Sequence, residues 1–148
     1  MLRDVIETDL PIFYKQQLDA ESIRMAAFPP REEWTAFLAH WSTKVLGDPS
    51  SCKQTIVWND QVAGYVVSWS QEELRLIAYW IDREYWGRGV ATSALTEFLG
   101  HERARPLHAF VAAHNVGSIR VLEKCGFVRM SAATTAHDGV DEYLYRFD

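Results

Sequence analysis

The sequence is poor in the residues that brace small secreted folds or span membranes. It has two cysteines, Cys52 and Cys125, far apart in the chain; this excludes a disulfide scaffold and fits a reducing, cytoplasmic setting. No stretch approaches the ~20 uninterrupted apolar residues that cross a bilayer. Nor does a charged start followed by an apolar run and a small-residue cleavage site open the chain, so a soluble protein is expected. Positive charge is in deficit: 15 Lys and Arg against 20 Asp and Glu leave a formal net charge of −5, which disfavours nucleic acid and acidic membranes as partners. A small or cationic partner suits that balance better. A compact anion remains admissible where local backbone groups hold it, because salt screens distant charges. Repeats, low-complexity tracts and Gly/Ser linkers are also missing, so the 148 residues read as one domain, 1–148, around one core. A hydrophobic content of 48% can fill that core and argues against disorder.

What is present is a succession of patterned segments. Arg3 to Glu7 reads as a short strand, followed by a helix that Thr8 or Asp9 could cap, with Pro11 tolerated in its first turn. Phe28-Pro29-Pro30 makes a rigid break. Trp34, Phe37, Leu38, Trp41 and Val45 then recur at helical spacing until Gly47-Asp48-Pro49. Three strands follow, Thr55 to Trp58, Val62 to Trp69 and Leu74 to Ile81, with turns at Asn59-Asp60 and Ser70-Gln71-Glu72. This is an antiparallel meander. A helix opens at Gly89, with Val90, Ala91, Ala94, Leu95, Phe98 and Leu99 on one stripe and Gly100 at its end. Leu107 to Ala112 is a strand, and Asn115 caps a helix facing inward through Val116, Ile119, Leu122 and Cys125. Two more strands, Phe127 to Thr135 and Glu142 to Phe147, are joined at His137-Asp138-Gly139. The order predicts a mixed α/β fold; the meander argues against a fully parallel doubly wound sheet.

The most informative stretch runs from Ile81 to Thr92, from a strand through a glycine-bearing loop into a helix. The first N–H groups of a helix lack intrahelical partners and sit at the positive end of its dipole, so a phosphate or pyrophosphate is favoured there. Gly87 and Gly89 let the backbone approach, and Ala91 keeps the entrance clear. A Gly-x-Gly alone often makes only a turn. A dinucleotide fingerprint needs a third glycine where Thr92 stands, and the lysine of a Walker loop is missing. A nucleotide-binding domain that uses the same glycines is the rival reading of this loop.

A second segment, Asn115-Val116-Gly117-Ser118-Ile119-Arg120-Val121-Leu122-Glu123-Lys124-Cys125-Gly126-Phe127, raises the odds of an anion cradle over a bare turn. Together the two segments resemble the GNAT superfamily of acyl-CoA-dependent N-acetyltransferases, through the Arg/Gln-x-x-Gly-x-Gly/Ala loop at Gly89 and Ala91 and the Glu-Lys-x-Gly-Phe helix end. Ala78-Tyr79-Trp80-Ile81 and Tyr85-Trp86-Gly87-Arg88-Gly89 look like the branch containing the RimJ and RimL ribosomal-protein acetyltransferases. The resemblance covers roughly Leu74 to Met130. It implies a three-layer fold, with a mixed central sheet, helices on both faces, and a splay between the strands ending at Ile81 and Ala112. It further implies acetyl-CoA as cosubstrate, with its pantetheine arm in that splay. Main-chain groups of Trp80 and Ile81 would bind the arm, and the amides of Gly87, Arg88, Gly89, Val90, Ala91 and Thr92 the pyrophosphate. Asn115 and Ser118 match cofactor-side positions on the second helix, where Arg120 and Lys124 could reach the outer phosphate.

The resemblance implies acetyl transfer to a primary amine by direct attack. The acceptor is either a protein N-terminus or a small molecule, approaching over the N-terminal helices and final hairpin; oligomerisation is left open. Two departures stand out. Trp86 occupies a position where many members carry Arg or Gln, and Leu122 one where many have a tyrosine that protonates the leaving thiolate. A non-catalytic acyl-CoA-binding module is therefore the alternative function. Glu73, with Glu72 behind it, is the candidate base; Ser118, Tyr143 and Tyr145 are the candidate proton donors. The five histidines show no metal-ligand spacing, so no metal is implied; His114 adjoins the cofactor helix and could touch substrate. Trp34, Trp41, Trp58 and Trp69 could wall an acceptor pocket, and Cys125 reads as a small core residue.

Overall fold

The computed structural model describes residues 1–26, 30–130, 134–135 and 139–148. Arg3, in strand β1 (Leu2–Asp4), makes two 2.8 Å bonds to the Asp9 carboxylate. Asp9 also accepts from the Thr55 hydroxyl at 2.7 Å and the Ile6 amide at 3.0 Å, and it is buried. This corrects the expectation that it caps the first helix: a carboxylate out of water needs donors on both oxygens, and Arg3, Ile6 and Thr55 supply them. A 3-10 turn, Glu7–Asp9, leads into α1 (Leu10–Gln17), with Pro11 in its first turn as expected. A separate helix, α2 (Ala20–Met25), starts on Asp19, whose side chain accepts from the Ser22 amide at 3.0 Å. Of the predicted break, Phe28 and Pro29 lie outside the described residues. Then α3 (Trp34–His40) runs on as a wider turn over Trp41–Val45. Phe37, Trp41 and Val45 pack with Leu10, Phe13 and Val67, while Trp34 and Leu38 stay at the rim.

The meander consists of β2 (Cys52–Trp58), β3 (Gln61–Gln71) and β4 (Leu74–Ile81), all antiparallel. Its turns are Asn59-Asp60 and Glu72-Glu73, each with both residues at positive φ, the backbone that matches the right-handed twist of the flanking strands. The second turn thus falls later than expected, because Ser70 and Gln71 still pair with Arg75 and Leu74. Gly64 is sterically required: a Cβ there would sit 1.8 Å from the Trp80 carbonyl oxygen. Only glycine lets β3 lie that close to β4 at this register.

After the meander come α4 (Val90–His101), β5 (Leu107–Ala112) and α5 (Val116–Lys124). The tail holds β6 (Val128–Arg129), β7 (Thr134–Thr135) and β8 (Asp141–Phe147). Helix α4 passes through Gly100 rather than ending there. The long strand expected from Phe127 is two short pieces, and His137 and Asp138 of the predicted turn lie outside the described residues. The sheet order is β1-β2-β3-β4-β5-β8-β6, with β7 on β8 and β4–β5 the one parallel pair among described strands. Strand alternation sends Val66, Ile77, Ile81 and Val111 towards α4 and α5, and Val67 and Ala78 towards α1 and α3. The fold is therefore three-layered, a mixed sheet with helices on both faces. Among the described residues no helix is long and apolar enough to cross a membrane.

Two registered pairs join β4 to β5: Arg75 with Leu107 and Leu76 with His108. Beyond them β4 stays with β3 as far as Ile81 and β5 with β8 as far as Ala112, so the facing edges part. The closed end is clamped. The Arg75 guanidinium bonds Glu102 at 2.9 and 3.2 Å and the Ser50 carbonyl at 2.8 Å, and the Ser68 hydroxyl donates to the same carboxylate. Burial alone would raise the Glu102 pKa, but donors from Ser68, the Ala104 amide and Arg75 outweigh it and hold it at about 2. A folded-state pKa below the unfolded value contributes stability that is complete above roughly pH 4.5 and lost as pH falls towards 2. Urea midpoints measured against pH should therefore fall steeply over that window. Glu102→Gln should flatten the fall while lowering the midpoint at pH 7, because Arg75 loses its buried partner; parallel curves would discount this clamp.

Candidate active site

The parted edges of β4 and β5 open a cavity of about 730 Å³. One wall is Ile77 to Ile81 of β4, the other Ala109 to Ala112 of β5, with α5 and the start of α4 behind and Ser22, Met25 and Ala26 above. The loop into α4 is built locally. Asp82 accepts from the Glu84 amide at 3.1 Å and starts a 3-10 turn over Arg83–Tyr85. The Trp86 indole then donates to the Ile81 carbonyl at 2.9 Å, bracing the loop against the strand it leaves. This gives Trp86 a structural role at its unusual position, and it places one protein donor on a carbonyl assigned to the pantetheine arm. Gly87 and Gly89 adopt φ of +73° and +76°, and beyond the adjoining residues no atom lies within 4 Å of where a Cβ would stand on either. No side chain caps α4. Its leading amides therefore face open space rather than a competing side-chain acceptor.

Most of the expected cofactor residues converge on this cavity: Trp80, Ile81, Gly87, Gly89, Val90, Ala91, Thr92, Asn115 and Ser118 all line it, as do Arg120 and Lys124. The Val90 side chain is buried in the core, so only its backbone can serve. Arg88 is exposed and lies off the lining. Glu73 is exposed in the β3–β4 turn, at the end of β4 where the edges are still closed, and it does not line the cavity. Neither do the tail tyrosines. Tyr143 lies under the Arg129 guanidinium, 3.9 Å from ring centroid, and Tyr145 is fully buried with its hydroxyl donating to Glu123 at 3.0 Å. Trp34, Trp41, Trp58 and Trp69 are elsewhere too; the tryptophans of the cavity are Trp80 and Trp86. Val116 faces this space rather than the core.

Three groups in the cavity carry chemistry. The Tyr79 hydroxyl reaches from β4 to Ser118 Oγ on α5 at 2.6 Å, and burial pushes its phenol up to about 12 even though the bond to Ser118 opposes the rise. Sequence reasoning does not single out this hydroxyl; its one signal there is its place in Ala78-Tyr79-Trp80-Ile81. The Trp80 indole N–H is buried without a hydrogen-bond partner, and a buried donor of this kind calls for an acceptor from a ligand or water. His114 Nε2 lies 2.6 Å from the Arg24 carbonyl. A carbonyl only accepts, so this nitrogen carries the hydrogen and the Nδ1 lone pair of the neutral ring is free. No carboxylate lines the cavity among the described residues, and no group of three or more His, Cys, Asp or Glu side chains could hold a metal ion.

A family model described as an acetyltransferase (GNAT) domain matches residues 1–128. The chain belongs to the GNAT acetyltransferase family. Solved structures share its fold at low identity. The spermidine N-acetyltransferase of Vibrio cholerae, in complex with CoA and spermine, superposes with a TM-score of 0.85 at 16% identity, covering 99% of this chain and 94% of that one. An aminoglycoside acetyltransferase in complex with coenzyme A gives 0.77 at 20% identity, over 98% and 92%. A GNAT-family acetyltransferase of Bacillus anthracis gives 0.78 at 17%, over 99% and 92%. No curated protein matches the sequence.

Proposed function

We propose that this GNAT protein moves an acetyl group from acetyl-CoA to a primary amine by direct attack. The observation that carries the reading is the split sheet beside an uncapped helix start. Parted strand edges offer unpaired N–H and C=O groups to an arm that itself contains two amides. The open positions beside Gly87 and Gly89, the leading amides of α4, and Arg120 and Lys124 suit a diphosphate. The buried indole N–H of Trp80 is a donor still needing an acceptor. Acetyl-CoA brings a thioester already activated for acyl transfer; the protein's part is to orient it, keep the amine neutral and stabilise the charge that develops.

Within this reading His114 takes the role first given to Glu73, accepting a proton from the amine at Nδ1 while Arg24 fixes the ring from its other nitrogen. The acceptor we favour is a small cationic amine. A net charge of −5 attracts cations, and α2 roofs the cavity through the His114 bond and a 3.2 Å bond from Asn115 Nδ2 to the Met25 carbonyl. Two of the superposed enzymes are a spermidine and an aminoglycoside acetyltransferase, which fits the same acceptor class. An exposed peptide N-terminus, in keeping with the RimJ/RimL-like motifs, is the other acceptor considered.

Thiol release from acetyl-CoA over a panel of polyamines, aminoglycosides and N-terminal peptides tests the activity. Turnover should be fastest with the small polycations. Tight CoA binding with no turnover on any acceptor would mean a non-catalytic module, and tighter binding of ATP or NAD than of CoA would overturn the cofactor itself. Gly89→Glu places a side chain and a negative charge at the proposed diphosphate contact, at a φ of +76° that already strains an L-residue. It should weaken CoA by at least about tenfold in calorimetry, the value of one hydrogen bond to a charged group. His114→Ala should lower the rate most below the pKa of the amine, and a pH–rate profile parallel to the parent's would remove it as base.

A further inference from the structure

The position of the usual tyrosine holds Leu122, which is buried against the core and offers no proton. Tyr143 and Tyr145 are committed elsewhere, to Arg129 and Glu123. Of the proton donors expected from the sequence that leaves Ser118, and its hydroxyl on α5 meets the Tyr79 hydroxyl of β4 inside the cavity. Two hydroxyls carry two protons, and the bond between them uses one. The pair can therefore present a second O–H to a ligand without losing the bond that holds it in place.

Building on the acetyl-transfer reading above, we propose that Tyr79 is the hydrogen-bond donor to the sulfur that leaves the acetyl group, a role supplied from β4 because α5 carries leucine at the expected place. In the step it serves, the amine lone pair forms the N–C bond to the acetyl carbon. The C–S bond breaks with its electron pair passing to sulfur, and the proton shed by the nitrogen goes to the base. Tyr79 keeps its own proton throughout. Its phenol, at about 12, is a far weaker acid than a thiol at roughly 8.5, so the charge stays on sulfur and is stabilised by the O–H dipole. The thiolate is protonated by water after release. Ser118 positions the phenol by donating the 2.6 Å bond to its oxygen, which leaves the phenol proton for the sulfur.

A donor to thiolate has a signature that does not depend on turnover, since it lowers the pKa of the CoA thiol in the binary complex. That pKa is read from proton release in calorimetric titrations with CoA across pH, run in buffers of different ionisation enthalpy. The parent should show the bound thiol about one unit or more below free CoA, and Tyr79→Phe should return it to the free value. With an acceptor, Tyr79→Phe should lower kcat by about 10- to 100-fold with KM for acetyl-CoA little changed. Ser118→Ala keeps the phenol and should retain a lowered thiol pKa; loss of the shift in Ser118→Ala would overturn the proposal even if Tyr79→Phe did not fold. An unchanged thiol titration or kcat in a folded Tyr79→Phe would overturn it equally. Absence of CoA binding or turnover in the parent would instead strike the acetyltransferase reading.

Discussion

The two-residue contact between β4 and β5 is the constraint on which the site depends. Closed along its length, that pair would bury its backbone groups in a ladder and leave no room for a ligand. Parted after Leu76 and His108, it keeps both strands anchored, each by its other neighbour, while exposing one edge of each. A consequence is visible in Tyr79 and Trp80. Adjacent residues of a strand point to opposite faces of a sheet, yet both line the same cavity. Only where the sheet is split can one space reach both faces, so a ligand there can be gripped from the α4/α5 side and from the N-terminal helices at once. The Arg75–Glu102–Ser68 clamp at the closed end fixes where the parting begins and ties it to the last turn of α4.

The diphosphate contact proposed for this acidic protein rests on forces that act on different length scales. The overall charge works through screened water, whereas amides at the start of α4 would act at hydrogen-bond distance, helped by the helix dipole and by Arg120 and Lys124 on the lining. Glycine matters here for two reasons. At Gly87 and Gly89 the positive φ turns the backbone into the helix, and the missing Cβ leaves clear the space that an anion needs.

The helix starts that line the cavity are legible in the sequence because their signals are local. Glycines before a helical stripe and an asparagine opening another helix fold as they read: Gly89 precedes α4, and Asn115 Oδ1 accepts from the Ser118 amide at 3.1 Å. The reacting groups were less legible because they depend on pairing. Glu73 stands at the start of a strand that the sequence places beside the reaction, but β4 parts from β5 at its other end, and which end parts is fixed by register with β5, which no local pattern encodes. Tyr143 and Tyr145 were equally plausible as phenols until their partners, Arg129 and Glu123, were known. Alternation gives the face of Tyr79 but not its contact with Ser118, which lies on an element 39 residues away. Asp9 misled for a similar reason: its place before a helix suggests a cap, while Arg3 and Thr55 claim it through the fold.

Asn115 joins the two helices that bound the cavity, α5 and α2. Its Oδ1 caps α5, holding the turn that carries Ser118, and its Nδ2 holds the Met25 carbonyl at the end of α2. His114 beside it grips the preceding carbonyl, Arg24. The end of α2 over the cavity is thus fastened to the residues that open α5, some 90 positions away in the chain. In the proposed reading, two hydrogen bonds therefore tie the helix that would carry cofactor contacts to the helix that would cover the acceptor.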